Sequence, residues 1–203
     1  MIKLGILAST NATDMQAIID EIEDGLLDAE ISIVIVNKEK CGAADRAQRY
    51  KIPIVFVSSK DKTTEQFDHE VDRLLKEKGV DLVLLIGFMR FLTHWFVYRW
   101  HYKIMNIHPS LLPKFAGGMD LDVHQSVLDA GEKETGATLH FVDEGRDTGP
   151  IILQEVVSVD DEETADSLKK KVQLVEQDII LRGIRLFMEG KIKVENNKVT
   201  VME

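Results

Sequence analysis

Apolar residues recur along this chain with two periods, and the switches between them predict its elements. Leu4 to Ala8 is a short apolar run ending in Ser9-Thr10-Asn11-Ala12-Thr13-Asp14, after which Met15, Ile18, Ile19 and Ile22 recur at helical spacing. The pattern predicts strand, loop and helix. Ile31 to Val36 is almost wholly β-branched and reads as a strand buried on both faces, Ala43 to Tyr50 as a helix, and Ile54 to Val57 as a short strand. Glu65 to Lys78 carries Phe67, Val71, Leu74 and Leu75 on one stripe with Gly79 as its stop, and Leu82 to Ile86 follows as another buried strand. This alternation predicts an α/β, Rossmann-like doubly wound fold with a mostly parallel sheet.

After Gly87-Phe88-Met89-Arg90, a helix near His94 to Trp100 leads into a strand over Ile104 to Ile107. The pattern then changes. Lys114 to Asp122 reads as a long loop and Val123 to Ala130 as a short helix, while Ala137 to Val142 and Ile151 to Val157 read as strands joined through Asp143 to Pro150. Glu163 to Glu189 is an amphipathic helix through Leu168, Val172, Val175, Ile179 and Ile180, with a break expected near Gly183. A hairpin, Ile192 to Val194 and Val199 to Val201 about Asn196-Asn197, makes an antiparallel C-terminal extension. With no repeat, low-complexity segment or Pro/Gly/Ser-rich linker, the chain is expected to be one domain over 1–203.

Within this pattern Met105 to Pro113, Met-Asn-Ile-His-Pro-Ser-Leu-Leu-Pro, stands out. Asn106 and His108 are two apart, so an extended segment aims an amide and a titratable ring at the same face. Pro109 and Pro113 bias His108 and Leu112 away from helical angles, making the segment an extended exit from a strand. It reads either as a catalytic pair or as a strand end with a hydrogen-bonded histidine. In parallel sheets ligands gather at the carboxyl ends of the strands, where Ser9 to Asp14, Gly87 to Leu92 and Asn106 to Pro113 are all expected, so one crevice is anticipated. The first loop precedes a helix whose free amides suit a phosphate, or which Thr13 or Asn11 simply caps. It lacks Gly-x-Gly-x-x-Gly, so a dinucleotide is not indicated.

Composition narrows the function classes. The 203 residues hold 25 Lys plus Arg against 35 Asp plus Glu, and a net charge of −10 argues against nucleic-acid or anionic-membrane binding by bulk charge. Cys41 is the only cysteine, which excludes an internal disulfide and suits a reducing compartment. No apolar run is long enough for a bilayer, so a soluble, cytoplasmic protein is expected.

Four stretches carry a resemblance over nearly the whole chain: Ala8 to Ile18, Gly87-Phe88-Met89-Arg90-Phe91-Leu92, Asn106-Ile107-His108-Pro109-Ser110-Leu111-Leu112-Pro113, and Asp147-Thr148-Gly149-Pro150-Ile151-Ile152. In this order they resemble the glycinamide ribonucleotide transformylases (phosphoribosylglycinamide formyltransferases) among the folate-dependent formyltransferases. The resemblance implies formyl transfer from 10-formyltetrahydrofolate, a co-substrate, to the amine of glycinamide ribonucleotide in de novo purine synthesis. No metal is implied. It implies a Rossmann-like nucleotide-binding half over 1–110, a half over 111–203 that completes the folate site, small-molecule substrates and a monomer or homodimer. Asn106, His108 and Asp147 are implied as catalytic, with Asn106 donating to the oxyanion, His108 stabilising it or moving a proton, and Asp147 holding the imidazole and favouring its charged form. Ala12, Thr13 and Asp14 are implied to bind the substrate phosphate, and Gln173 and Glu176 the nucleotide. Met89, Arg90, Phe91 and Leu92 are implied to line the folate pocket, with the loop Asp143 to Asp147 reading the pterin edge. From the residues alone Asp147 also reads as a turn residue in Asp-Thr-Gly-Pro, and Gln173 and Glu176 as a solvated helix face.

The chain departs from that pattern in three places. Ala12, Thr13 and Asp14 stand where many relatives have Gly, Ser and Asn, and Asp14 brings a negative charge that must point away or cap the helix. Lys62, Thr63 and Thr64 stand where relatives often carry an arginine for the cofactor. The stretch Phe115 to His124 is longer than usual, and its Asp120, Asp122 and His124 read as a solvated loop ahead of a metal site. Two relatives remain as alternatives: a formyltetrahydrofolate deformylase, normally with an added N-terminal domain, and a methionyl-tRNA formyltransferase, with an added C-terminal domain and basic surface. A silent phosphate- or folate-binding module is a third.

Overall fold

A computed structural model describes residues 1–118 and 121–202, with Leu121 described by its backbone alone. The chain divides into two compact units, Met1–Met105 and Asn106–Glu203, and the division falls inside strand β5 (Ile104–His108).

The first unit is the β-α alternation its apolar runs predict. Strands β1 (Ile2–Ala8), β2 (Ala29–Val36), β3 (Ile54–Phe56) and β4 (Leu82–Leu85) lie in the order β3-β2-β1-β4, with β1 parallel to both β2 and β4 and β2 parallel to β3. Leu4, Ile6, Leu7, Ile33, Val34, Ile35 and Leu82 to Leu84 are wholly buried, which is why these strands read as unbroken apolar runs. Helices α1 (Asp14–Glu23), α2 (Gly42–Arg49), α3 (Thr64–Glu77) and α4 (His94–Arg99) intervene. Thr63 and Gln66 form a capping box at the start of α3, and Gly79, at φ +64°, takes the left-handed turn that ends it.

In the second unit the parallel pattern stops. Strand β6 (Glu134–Phe141) pairs antiparallel with β7 (Ile151–Ser158), and β6 neighbours β5. The β6-β7 register slips between Leu139 and His140, a β-bulge. Helix α5 spans Leu121–Asp129, and α6 (Ala165–Met188) packs on β6 and β7. A separate pair, β8 (Ile192–Glu195) and β9 (Lys198–Val201), closes about Asn196 and Asn197, both at positive φ (+49° and +61°) as a tight hairpin turn requires. The α/β class with an antiparallel C-terminal extension is therefore as the sequence predicted.

Two expectations are corrected. The helix expected from Val123 starts two residues earlier, at Leu121, with Asp122 in its first turn, where a carboxylate suits the helix dipole. The break expected near Gly183 is absent: α6 runs through it, and Gly183 lies on the buried stripe of that helix with Ile179, Ile180 and Ile184, whose packing outweighs the low helix propensity of one glycine.

Candidate active site

The strand β5 ends at His108, and the turn beyond it is held by one buried hydroxyl. Thr138 Oγ1 on β6 donates to Ser110 O (2.6 Å) and accepts from Leu112 N (3.1 Å) and from Gln154 Nε2 (2.8 Å). Its hydrogen-bonding capacity is filled. Ser110, itself wholly buried, donates to Lys114 O at 2.6 Å, so the Ser-Leu-Leu-Pro stretch is a clamped turn that sets where Phe115 begins.

Asn106 and His108 leave β5 on the same face, as their spacing predicts, and Asp147 meets both. Its Oδ2 lies 3.4 Å from His108 Nδ1 and accepts from Gly117 N at 2.8 Å. Its Oδ1 accepts from Asn106 Nδ2 at 3.3 Å. Asp147 holds φ +53° in a loop wound around Asp143, whose Oδ1 accepts from Gly145 N (3.0 Å) and Thr148 Oγ1 (2.7 Å). Gly149 closes that loop, since a Cβ there would stand 1.8 Å from Phe141 O.

Electrostatics separate the two titrating groups. Burial would raise the Asp147 carboxyl, but the His140 ring, the Gly117 N–H and the His108 ring hold it down at about 2. For His108 burial is the largest influence and lowers its basicity, outweighing Asp147 and the Phe115 carbonyl, which both favour the charged ring. Asp147 pulls in the expected direction but is overruled. A ring so placed gives up a proton readily once charged. Both its nitrogens face acceptors, Asp147 at Nδ1 and Phe115 O at 3.0 Å from Nε2, so Nε2–H donates to that carbonyl.

The sequence gives no role to His140, yet it completes the cluster. It is 2% exposed on β6, at the step where the partner strand β7 carries an extra residue, Ile152. Its Nδ1 lies 2.8 Å from Phe141 O, which can only accept, so Nδ1 carries the hydrogen. Nε2 lies 3.1 Å from Asn106 Nδ2 and 3.5 Å from Asp147 Oδ1. In the neutral ring Nε2 accepts from Asn106, the shorter approach, and only the charged ring donates to Asp147, the contact that lowers its carboxyl. Both amide hydrogens of Asn106 are thereby engaged, and donation from Asn106 to a developing oxyanion is not what this arrangement offers. A buried histidine breaking an apolar strand, Leu139-His140-Phe141, was the available signal.

In the first unit two of the expected loops are knitted together. Ser9 N donates to Gly87 O at 3.0 Å, and Ser9 Oγ accepts from Met89 N at 2.8 Å. Gly87 sits at φ +60° with its missing Cβ only 2.0 Å from Thr10 Oγ1. Ala12 is buried at φ +44°, Thr13 makes no side-chain cap to α1, and Asp14 is 6% exposed at the helix start, turned from solvent. The Arg90 guanidinium stacks over Phe67 at 4.2 Å, Phe91 is 56% exposed, and Leu92 is half-buried. Lys62 pairs with Glu70 and Thr63 caps α3, so that stretch is engaged within its own unit. In the second unit Gln173 and Glu176 lie half-buried on α6. Of the residues weighed as a metal site, Asp120 lies outside those described, Asp122 is in the first turn of α5, and His124 is buried, not solvated. Among the described residues no three side chains group as metal ligands, and no helix is long and apolar enough to cross a membrane.

Residues 2–184 match the model of the formyl transferase family. The chain belongs to that family. The formyltransferase is 39% identical over 199 residues to the human trifunctional purine biosynthetic protein adenosine-3, covering 97% of this chain and 19% of that one. It is 36% identical over 198 residues to the phosphoribosylglycinamide formyltransferase of Haemophilus influenzae, covering 97% of this chain and 92% of that one. Among solved structures it is similar to glycinamide ribonucleotide transformylase 1 of Symbiobacterium toebii (TM-score 0.95, 34% identity, 100% and 95% of the two chains). It is also similar to a formyltetrahydrofolate deformylase of Pseudomonas syringae (TM-score 0.90, 28% identity), of which it covers 66%.

Proposed function

We propose that this formyltransferase moves the formyl group of 10-formyltetrahydrofolate to the amine of glycinamide ribonucleotide in de novo purine synthesis, in the cytoplasm, as a monomer or homodimer and with its two units as halves of one domain. The observation that carries this reading is the cluster of Asn106, His108 and Asp147, held within 3.4 Å contacts by β5 and the Asp143–Pro150 loop. The likeness to the Haemophilus influenzae enzyme over 92% of its length supports the acceptor.

The amine nitrogen attacks the formyl carbon with its lone pair, and the carbonyl π pair moves onto oxygen. The Phe115 carbonyl occupies an acceptor position at His108 Nε2, 3.0 Å away, and the formyl oxygen is an acceptor of the same kind. On this reading it takes that place, and charged His108 stabilises the oxyanion. Asp147, anionic at neutral pH, steadies the charged ring from Nδ1. When the oxygen pair re-forms the carbonyl, the bond to the folate nitrogen breaks. That nitrogen takes a proton as the attacking nitrogen loses one, and His108 is the group able to carry it. Ala12 to Asp14 at the start of α1 hold the phosphate, Gln173 and Glu176 the nucleotide, and Met89 to Leu92 with the Asp143–Asp147 loop the folate.

Incubating the protein with glycinamide ribonucleotide and 10-formyltetrahydrofolate is expected to give formylated ribonucleotide. Formate released at the same rate without the ribonucleotide would instead establish a deformylase. His108→Ala is expected to lower kcat by about two to four decades with a smaller effect on binding, and an unchanged kcat would remove His108 from the mechanism.

A further inference from the structure

Asn106 would ordinarily be assigned as a donor, because a primary amide beside a reacting carbonyl is well suited to hold an oxyanion. An amide has two ends, however, and surrounding groups decide which one is offered. Here Nδ2 lies 3.1 Å from His140 Nε2 and 3.3 Å from Asp147 Oδ1. The Asp147 oxygen is an anionic acceptor. In the neutral ring His140 Nε2 is an acceptor as well, because Phe141 O, at 2.8 Å, takes the ring's one hydrogen at Nδ1. A flipped amide would set its carbonyl oxygen against two acceptors at those distances, so the observed orientation is imposed from both sides. Oδ1 accepts no hydrogen bond among the described residues.

We infer that His140 is a positioning residue: with Asp147 it fixes the Asn106 carboxamide so that Oδ1, an acceptor, is the end offered to the reacting amine. This rests on the reading of the site as a formyl-transfer centre with an amine acceptor. Oδ1 accepts one N–H of the incoming amine and thereby orients the opposite lone pair toward the formyl carbon, while the oxyanion falls to His108. Strand β6 is buried on both faces from Thr135 to Phe141, so His140 lies inside the protein beside its buried neighbours Leu139 and Phe141.

Two measurements test the inference. In the ligand-free wild-type protein, the Asn106 side-chain amide hydrogens observed by NMR are expected to exchange slowly with water, both being bonded. The His140 Nε2 resonance should be that of an unprotonated nitrogen accepting a bond. Fast exchange of both amide hydrogens, or a proton on Nε2 at neutral pH, overturns the proposal whether or not the protein transfers formyl groups. In the transfer assay His140→Leu, which removes the acceptor, is expected to lower kcat about 10- to 100-fold with KM for the ribonucleotide little changed, since misorientation of a bound reactant costs rate more than affinity. His140→Gln restores an acceptor oxygen near the Nε2 position and is expected to recover most of that loss. Equal activity of the Leu and Gln variants, or a purely KM effect, refutes the positioning role. If neither wild type nor variants transfer formyl to the ribonucleotide, the proposed function fails while the NMR result still judges the amide orientation.

Discussion

The depressed carboxyl of Asp147 has a consequence for stability that can be worked out in advance. Its folded-state pKa is about 2 against an ordinary 3.8, and the side chain is only 17% exposed, so solvent screening removes little of the effect. At about 1.36 kcal/mol per pH unit, the drop corresponds to roughly 2 kcal/mol of folding free energy. The sign comes from proton binding. The unfolded chain binds the proton more tightly, so the contribution is complete above the unfolded value and is lost as pH falls through the folded one. About half should remain near pH 3 and almost none below pH 2. Urea unfolding followed by far-ultraviolet circular dichroism, for wild type and Asp147→Asn at a series of pH values, isolates this group, because every other carboxyl is shared by the pair. The stability difference should narrow by roughly 2 kcal/mol between about pH 5 and pH 2. A difference that stays flat across that window would mean that the Gly117 amide and the two histidines do not stabilise the carboxylate.

His108 has the same linkage sign for a different reason, since burial disfavours its charged form. Its basicity is lowered by burial, so stability is complete above the unfolded value near 6.5 and declines as pH falls below it. Relative to His108→Gln the wild type should therefore lose stability on mild acidification, and the reverse trend would refute the dominance of burial. Gly136→Ala places a Cβ 1.9 Å from Glu155 O and should destabilise by about 1–3 kcal/mol or more through forced separation of β6 and β7, visible as a lower Tm. An unchanged Tm would show that the pair can part without cost. Asp68→Ala removes the buried acceptor of Thr93 N (2.6 Å) and Oγ1 (2.7 Å) at the head of α4 and should cost about 1–3 kcal/mol in urea unfolding, which a loss below half of that would contradict.

How far the fold and the site can be read from the sequence depends on how local each signal is. The first unit was legible because buried parallel strands must be apolar throughout and its helices carry their own stops, as Gly79 does. Asn106 and His108 were legible as a pair because alternation along a strand is fixed by geometry. Asp147 lies 41 residues beyond Asn106, in a turn whose composition explains itself, and only resemblance to relatives brought it into the site. His140 was illegible because β6 is buried on both faces from Thr135 to Phe141, so no in-out alternation marks the side its ring takes. The direction of the Asn106 amide was illegible too, since it depends on a histidine tautomer set by the Phe141 carbonyl. The early start of α5 was hidden by reading Asp122 as loop composition, although acidic residues favour the first turn of a helix.

The pairing of β6 with β7 makes the site sensitive to chain length as well as to chemistry. Removing one residue of β6 between Thr135 and Leu139 would leave composition almost unchanged, yet shift His140 by one place against β7 and turn its ring toward the other face. Asn106 would lose its imidazole acceptor without itself being altered. Short insertions and deletions in this strand should therefore be far less tolerated than substitutions of the apolar residues around it.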